Sequence, residues 1–358
     1  MLTGADEWFV HQTPEPVAVA GTDRNFYDRA YLGAFTADGM AVTVAFGIYP
    51  NINVADAHLS VVRDGRQHCL HVSKTLGVRT DLEVGPVRIE IMEPLHVVRV
   101  VVSDEELACE LTFTGRHFPI EEPRFIHRFG PRAFMDYTRI SQACDVRGTV
   151  TVDGTVHTLD GADGLRDRSW GIRPVGLRDP QPYQPAIEPQ FFWLWAPVHL
   201  PGRTLWWHIN ADERGRAWNT RLTVCPHGSG PDKHVHGTGS IALDLEPGTR
   251  WVTGATLTGL TEEGEALTLR YRARAHLEMQ GIGYRHPEWA HGMPQGNFRL
   301  AREVLDLASA DPAALHQLHR QVLCEVDVLR ADGSDGSAGP ARGLLEHLII
   351  GRYHPFGL

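Results

Sequence analysis

The residues best suited to chemistry lie in the segment Gly164–Gly176, which reads GLRDRSWGIRPVG. It places Asp167 and Trp170 among three arginines, Arg166, Arg168 and Arg173. Such a pattern favours a site in which arginines hold an aspartate by charge-assisted hydrogen bonds while the tryptophan lines a cavity. An aspartate paired with arginine has a lowered pKa, so it would accept a proton rather than donate one. The alternative is a salt-bridged connector whose tryptophan closes one end of the fold.

A second candidate is the aromatic segment Phe191–Asn210, FFWLWAPVHLPGRTLWWHIN. With a period of two, Phe191, Trp193 and Trp195 share one strand face, and Trp206, His208 and Asn210 share a face of the next strand. This predicts an aromatic pocket with His208 as a catalytic proton-transfer group and with Trp193, Trp195 and Trp207 as substrate-contacting walls. The alternative is that both faces are simply buried and His208 is only hydrogen-bonded.

Glu346 is a third candidate, because it shares a face with apolar residues in the strand-like run Leu344–Ile350. Buried carboxyl groups have raised pKa values and can act as general acids, so Glu346 is a predicted catalytic residue. The alternatives are a solvent-facing position or an arginine partner. Asn51, in the segment Phe46–Asn51, is a weaker candidate for substrate binding and is as well suited to a turn.

The sequence contains 20 histidines, but their spacing gives no metal motif. Pairs such as His234 and His236 match neither HExxH nor a three-histidine cluster with a nearby carboxylate. Gly281–Gly283 lacks the third glycine of a dinucleotide fingerprint, and neither a P-loop nor a GxSxG elbow is present. We therefore expect no metal and no cofactor.

The elements that must position these residues are strands. Ala266–Glu278 alternates apolar and polar side chains throughout, which predicts a long half-buried antiparallel strand. Shorter alternating runs are separated by Asp-Gly or Glu-Gly pairs, which are typical of hairpin turns. These runs are Val87–Ile91, His96–Val102, Leu107–Phe113, Gly148–Val152 and Trp251–Leu257.

Helical signals are scarce, and the best of them spans Asp311–Leu323. Asp311 is a good N-cap, Pro312 suits the first turn, and Leu315, Leu318 and Val322 form a stripe. Many strands with so few helices predict an all-β chain of barrels or sandwiches, since closing a barrel removes exposed strand edges.

The length of 358 residues suits two domains. The proline-rich stretch Pro174–Gln190 separates two strand-rich halves, so we expect an N-terminal domain at 1–175 and a C-terminal domain at 190–358. Pro226–Gly239 and Ala331–Gly343 have the composition of surface loops.

Charge and cysteine content limit the function classes. Lys and Arg total 34 against 44 Asp and Glu, a net charge of −10, which disfavours nucleic acid and anionic membranes as partners. The five cysteines are dispersed and odd in number, which favours a reducing compartment over a disulfide framework. The N-terminal residues show no secretory signal pattern, so we expect a cytoplasmic protein.

The stretch Asp167–Gly171 resembles the Asp-His-x-Trp-Gly motif of the lipocalin-like carotenoid 1,2-hydratase (hydroxyneurosporene synthase) family. Weaker likenesses lie in Phe46–Asn51 and Tyr137–Gly148. The resemblance implies two lipocalin-like antiparallel β-barrels in tandem, no metal or redox cofactor, and terpenoid- or polyketide-like substrates. Asp167 and Trp170 match the motif, whereas Arg168 stands where the family has histidine, and arginine cannot relay a proton.

Two functions remain open from the sequence. One is a cofactor-free hydratase or dehydratase, cyclase or isomerase that acts on a lipophilic small molecule by acid–base catalysis in a cavity between the barrels. The other is a non-catalytic carrier for the same class of ligand, because barrels bind apolar molecules without chemistry. The sequence gives no oligomeric state.

Overall fold

The computed structural model describes residues 2–11, 22–130, 132–178, 188–329 and 341–358. Within them the chain is all-β, with strands in 61% of residues and only short 3₁₀ turns as helical segments, which confirms the predicted fold class. Among these residues no helix is long and apolar enough to cross a membrane. Most of the predicted linker Pro174–Gln190 and of the predicted loop Ala331–Gly343 falls outside the described residues.

The strands are numbered here in chain order. The first twelve are β1 (Phe26–Phe35), β2 (Ala41–Tyr49), β3 (Val54–Arg63), β4 (Arg66–Thr75), β5 (Glu83–Val84), β6 (Val87–Glu93), β7 (Val97–Val102), β8 (Leu107–Gly115), β9 (Ile120–Glu121), β10 (Phe125–Phe129), β11 (Arg132–Val152) and β12 (Thr155–Ile172). The others are β13 (Phe191–Trp195), β14 (Val198–Leu200), β15 (Arg203–Ala211), β16 (Ala217–Pro226), β17 (Val235–Leu245), β18 (Val252–Thr261), β19 (Ala266–Glu278), β20 (Phe298–Asp306), β21 (Arg320–Leu329) and β22 (Ala341–Ile350).

The short 3₁₀ turns lie between these strands and at the two ends of the chain. They are Gly4–Glu7, Pro50–Ile52, Pro231–Lys233, Met279–Ile282, Leu307–Ser309, Leu315–Gln317 and His354–Phe356.

The chain forms two compact units, Met1–Pro182 with Gln280–Ala308, and Tyr183–Met279 with Ser309–Leu358. The sequence patterns had grouped all of 190–358 together. Strand β20 instead pairs with β4 of the first unit over nine residues, from Phe298 opposite Lys74 to Asp306 opposite Arg66. Its backbone groups are thus satisfied by an edge strand that lies far away in the sequence.

The first unit contains one strongly curled antiparallel sheet that forms a half-barrel. Its strand order is β20-β4-β3-β2-β1-β12-β11-β8-β7-β6-β5, with β9 and β10 beside β11. Alternate side chains such as Leu32, Val44, Leu59 and Leu70 fill its concave interior. The opposite, outer face of β1 to β4 is polar, and its side chains are nevertheless buried.

The second unit contains a closed eight-stranded barrel. Its order is β13-β15-β14-β22-β21-β19-β18-β17-β16, in which β13 and β14 share one position because both pair with β15 and β22, and pairing of β15 with β16 closes the ring. The interior is an apolar core that includes Trp207, Leu222, Leu257 and Leu345. Side chains at the intervening positions, such as Trp206 and Glu346, lie on the outer face of the barrel.

Two predicted hairpin turns have the backbone that the sequence indicated. Asp64 and Gly65 join β3 to β4 with φ of 49° and 76°, and Asp153 and Gly154 join β11 to β12 with φ of 49° and 69°. Positive φ at both central residues suits the right-handed twist of the strands, and Gly adopts it without steric penalty.

The predicted helix Asp311–Leu323 is wrong. Asp311 does cap a turn, because its Oδ1 accepts a hydrogen bond from the Ala313 amide at 2.9 Å, but only the 3₁₀ turn Leu315–Gln317 follows. From Arg320 onward the chain is β21, which pairs with β19 on one side and β22 on the other. Two neighbouring strands satisfy the backbone on both sides, and this tertiary pairing overrides local helix propensity.

Strand β19 has the predicted bounds, Ala266–Glu278, but its alternation stops near its end. A bulge between Ala273 and Ala275 shifts the register, so Glu278 is buried rather than exposed. Burial raises the pKa of Glu278 to about 7, although its ion pair with Arg320 opposes this shift.

We predict that Gly148→Ala will destabilise the protein far more than Gly154→Ala. Both glycines have positive φ, but a Cβ at Gly148 would lie 1.9 Å from the Glu110 carbonyl oxygen, whereas a Cβ at Gly154 meets nothing within 4 Å. Gly154→Ala should cost about 1–2 kcal/mol of unfolding free energy, and Gly148→Ala about 3 kcal/mol or more. Urea denaturation of both variants measures this; equal losses would contradict the close approach of β8 and β11.

Candidate active site

Glu346 is the centre of a buried hydrogen-bonded cluster on the outer face of the second unit's barrel. Strand β22 lies between β13 and β21, so Glu346 is directly opposite Trp195 on one side and Gln321 on the other. Trp193 Nε1 donates to Glu346 Oε1 at 2.9 Å, and Gln321 Nε2 donates to Oε2 at 2.7 Å. The carboxyl group is thus fixed in orientation and buried.

His319 supplies the second proton-transfer group of this cluster. Its Nε2 lies 2.9 Å from Glu346 Oε1, and both side chains are nearly fully buried. When Glu346 is ionised, the carboxylate only accepts, so the proton of the neutral imidazole must be on Nε2. This pair can pass a proton along one short hydrogen bond.

Aromatic side chains adjoin the Glu346 cluster on β13 and β15. The ring centroids of Trp193 and His208 are 6.1 Å apart, and those of Trp195 and Trp206 are 5.6 Å apart. His208 Nε2 lies 3.3 Å from Asn219 Oδ1. The structure therefore brings together four of the sequence candidates, Trp193, Trp195, His208 and Glu346.

Trp207, which we expected in the pocket wall, points the other way. It is fully buried in the apolar core of the barrel, while its neighbours Trp206 and His208 face outward. Successive residues of a strand point to opposite faces, so Trp207 cannot share the face of His208.

In the first unit, Arg166 and Arg168 face the interior of the half-barrel. Arg166 Nη1 donates to both carboxylate oxygens of Glu7 at 2.8 and 2.9 Å, and Arg168 Nη2 forms an ion pair with Asp28 Oδ1 at 2.8 Å. Arg168 also lies 3.6 Å from the ring centroid of Phe9, within the N-terminal segment. The arginines therefore hold the N-terminal segment in the half-barrel.

Trp170 lies on the same face of β12 as Arg166 and Arg168. These three residues correspond to the salt-bridged connector that the sequence offered as the alternative. Its ring stacks on His11 at a centroid distance of 3.6 Å, and His11 Nδ1 lies 2.7 Å from Asp28 Oδ2. A cavity beside this row of β12 side chains, lined in part by Phe9, Arg166 and Arg168, has a volume of about 10 Å³. That is room for about one water molecule, not for an organic ligand.

Asp167 lies on the opposite face of β12 from Arg166 and Arg168, and it is half-buried. The charge of Asp167 interacts with that of Arg139. Burial by itself would lower the pKa of Arg139. The negative charges of Glu122 and then Asp167 outweigh burial and raise that pKa above its ordinary value. Asn51 Nδ2 donates to the Asp23 carbonyl oxygen at 2.7 Å, which joins two segments that are distant in the sequence.

Sequence reasoning missed a polar cluster on the outer face of β1 to β4. Arg29, Asp56, His58 and His71 are each at most 3% exposed. Arg29 Nη1 lies 2.6 Å from His291 Nδ1. The available signal was the alternation of polar residues in β3 and β4, but it gave no indication that segment 280–308 supplies the partners.

Two pairs of contacts complete the core of this cluster. His58 Nδ1 lies 2.8 Å from His71 Nδ1, and Tyr49 Oη donates to Asp56 Oδ1 at 3.0 Å. Burial lowers the pKa of His58 below its ordinary value and that of His71 to about 4, so both rings are neutral near pH 7.

The predicted site residues thus divide between the units. Asp167, Arg168, Trp170 and Asn51 belong to the first, and the aromatic residues with His208 and Glu346 belong to the second.

Comparisons with known proteins identify the family of this chain and a solved structure of similar fold. The model of a family of unknown function, DUF8625, matches residues 2–358. The crystal structure of a Nitrosomonas europaea protein provisionally assigned as AttH has a TM-score of 0.54 at 13% identity, covering 90% of this chain and 92% of that one. Kievitone hydratase from Nectria haematococca has a TM-score of 0.47 at 12% identity, covering 98% of this chain and 93% of that one. A search of curated proteins gave no significant match.

We predict that Glu7→Gln will lower the unfolding free energy by about 3–5 kcal/mol, because it leaves the buried Arg166 charge without its carboxylate. Adding Arg166→Met should recover most of this loss. Asp160→Asn is the control, since its ion pair with Arg147 is exposed and should contribute little. If denaturation curves give Glu7→Gln and Asp160→Asn the same unfolding free energy, the pair of Glu7 and Arg166 does not have this stabilising role.

We predict that stability will fall as the pH falls from about 6.5 to about 3, in part through His347. Burial first, then the charges of His319 and Arg320, lower the pKa of His347 from 6.5 to about 3. Between these values the unfolded chain binds a proton that the folded chain does not, so folding weakens with acid. His347→Gln keeps an acceptor for the Val252 amide and should flatten the profile. If the unfolding free energy of His347→Gln differs between pH 7 and pH 4 as much as that of wild type, His347 does not titrate in this way.

Proposed function

We propose that this protein, which belongs to the family of unknown function DUF8625, is an acid–base enzyme. Its reaction would be water addition, water loss, cyclisation or isomerisation of a lipophilic, terpenoid- or polyketide-like molecule. Side chains alone would carry the protons. The observation on which this rests is the buried pair of Glu346 and His319, 2.9 Å apart and hydrogen-bonded to Trp193.

The pair provides what such reactions require. Adding or removing water across a carbon–carbon double bond needs one group that donates a proton and another that accepts one. Glu346 and His319 are coupled by one hydrogen bond, so a proton taken up by one can be replaced through the other. His208 adds a further imidazole, a side chain that can both donate and accept a proton.

The aromatic residues supply the other requirement, a surface for an apolar substrate that develops positive charge. The faces of Trp193, Trp195 and Trp206 attract cations by roughly 0.5–2 kcal/mol each. All three are buried, so a lipophile beside them would be shielded from water.

The resemblance to the carotenoid 1,2-hydratases supports the substrate class and the reaction type. It does not carry over the proton relay, because Arg168 replaces the histidine and is paired with Asp28. A permanently charged, paired arginine orients and neutralises its neighbours. In our proposal the proton therefore moves at Glu346, His319 and His208, while Asp167 stays a candidate in the first unit.

A carrier remains the alternative, but not one that uses its barrel interiors in the lipocalin manner. The described residues fill the interior of the second unit's barrel with an apolar core, and they fill the concave face of the first unit with apolar side chains and the buried pairs of Arg166 and Arg168. A carrier would have to use the aromatic outer face of the second unit instead.

We predict that Glu346→Gln will lower kcat by about 10²–10⁴-fold and leave ligand affinity nearly unchanged, since it removes a proton-transfer group and keeps the shape. His208→Ala should also lower kcat. The assay incubates wild type with a panel of terpenoid and polyketide alkenes and alcohols in heavy-oxygen water, and mass spectrometry detects label and isomers.

Glu265→Gln is the matched control, because Glu265 is an exposed carboxylate of the same unit, paired with Arg203. It should turn over like wild type. If Glu346→Gln is as active as Glu265→Gln, Glu346 is structural. If wild type binds members of the panel and returns all of them unchanged, the carrier function is correct.

A further inference from the structure

Three potential metal ligands converge on the outer face of the first unit. Cys69 Sγ, a ring nitrogen of His71 and a carboxylate oxygen of Glu303 all lie within 4.8 Å of one another. Cys69 and His71 are two residues apart on β4, so they share a face, and Glu303 lies directly opposite Cys69 on β20. Because a tetrahedral zinc ion holds its donor atoms roughly 3–4 Å apart, the three are close to a binding arrangement.

The hydrogen bonds around His71 leave one buried nitrogen without a partner. His71 Nε2 lies 3.0 Å from Glu303 Oε1, so without a metal the ring donates from Nε2 and must accept at Nδ1. His58 then donates from its Nδ1, and its Nε2 is left as a bare acceptor. That atom is buried, has no hydrogen-bond partner, and faces the Asp56 carboxylate at 3.9 Å, where two acceptors oppose each other.

A cation on His71 Nε2 removes this conflict. His71 then donates from Nδ1 to His58, and His58 carries its proton on Nε2, toward Asp56. This is the carboxylate–histidine–metal order that orients metal-ligating histidines in proteins, here with one additional imidazole in the chain.

We propose that Cys69, His71 and Glu303 bind a zinc ion, with a water molecule as the fourth ligand. A thiolate, an imidazole and a carboxylate form a donor set that zinc prefers over magnesium or calcium. The ion would join β4 to β20, which are more than 200 residues apart in the sequence. It would fix segment 280–308 to the first unit, independently of the chemistry proposed at Glu346.

His286 belongs to the second shell of this site. Its Nδ1 accepts hydrogen bonds from the amides of Glu288 and Trp289 at 3.0 and 2.9 Å, so its neutral ring donates from Nε2. That nitrogen lies 3.2 Å from Glu303 Oε1. His286 therefore orients the carboxylate and is not itself a ligand.

The charge states of His71 and Glu303 suit metal binding, whereas burial and then the Glu303 carboxylate raise the pKa of the Cys69 thiol, so the ion would have to displace that proton. Burial lowers the pKa of His71 to about 4, which leaves a neutral imidazole at pH 7. Although burial opposes it, hydrogen bonds from His286 and His71 lower the pKa of Glu303 to about 2, which leaves a carboxylate. Glu303 is 32% exposed and gives the ion a path to the site.

The test uses full-length protein without a polyhistidine tag. Wild type is stripped with a chelator and titrated with Zn²⁺ in competition with a chromophoric chelator, and Co²⁺ binding is followed by absorption. We expect one Zn²⁺ per chain and a thiolate-to-cobalt charge-transfer band. Cys69→Ala should weaken Zn²⁺ binding by about 100-fold or more and abolish the band, and His58→Gln should weaken binding by about 10–100-fold.

Cys109→Ala is the matched control, because Cys109 is another buried free cysteine of the first unit. It should keep both the Zn²⁺ affinity and the cobalt band. Equal affinity of wild type and Cys69→Ala would overturn the proposal. If Cys69→Ala does not fold, wild type alone decides, because a cobalt complex without a thiolate band would equally exclude Cys69 as a ligand.

Discussion

Burial of polar side chains on the outer faces of the two sheets is the constraint on which the rest of the structure depends. A charged or polar group removed from water destabilises the fold unless it is paired. Glu346 has Trp193, His319 and Gln321 as partners, and Glu303 has His71 and His286. Each partner stands on a neighbouring strand or on the segment that returns to the sheet, so strand register and side-chain chemistry are fixed together.

Much of the fold could be predicted, because period-two alternation and Asp-Gly turns are local signals. Strand β19 and the turns at Asp64 and Asp153 follow directly from them. The helix at Asp311–Leu323 failed because its residues carry a local helical pattern, while the edges of β19 and β22 offer stronger backbone pairing. The return of β20 to β4 could not be predicted either, since nothing local in Phe298–Asp306 specifies a partner more than 200 residues earlier.

The candidate site was predictable only residue by residue. Glu346 stood out as a carboxylate in an apolar run, and Trp193, Trp195 and His208 stood out by alternation. His319 and Gln321 carry no such signal, because only the register of β21 against β22 brings them to Glu346. Likewise the partners of Arg166 and Arg168 are Glu7 and Asp28, about 140 to 160 residues away, rather than a neighbour within the motif.

The two imidazoles of the first unit show how one proton can decide a whole cluster. His58 and His71 share a hydrogen bond between their Nδ1 atoms, and each Nε2 faces a carboxylate, Asp56 or Glu303. Two neutral rings carry two protons, of which one lies between them, so only one carboxylate can receive an N–H. One added positive charge, either a third proton or a metal ion, satisfies both carboxylates. Of the two, only a metal ion would also engage the Cys69 sulfur and the Glu303 carboxylate, whose ligand atoms lie within 4.8 Å of each other and of a His71 ring nitrogen, so this geometry supports the proposed zinc ion.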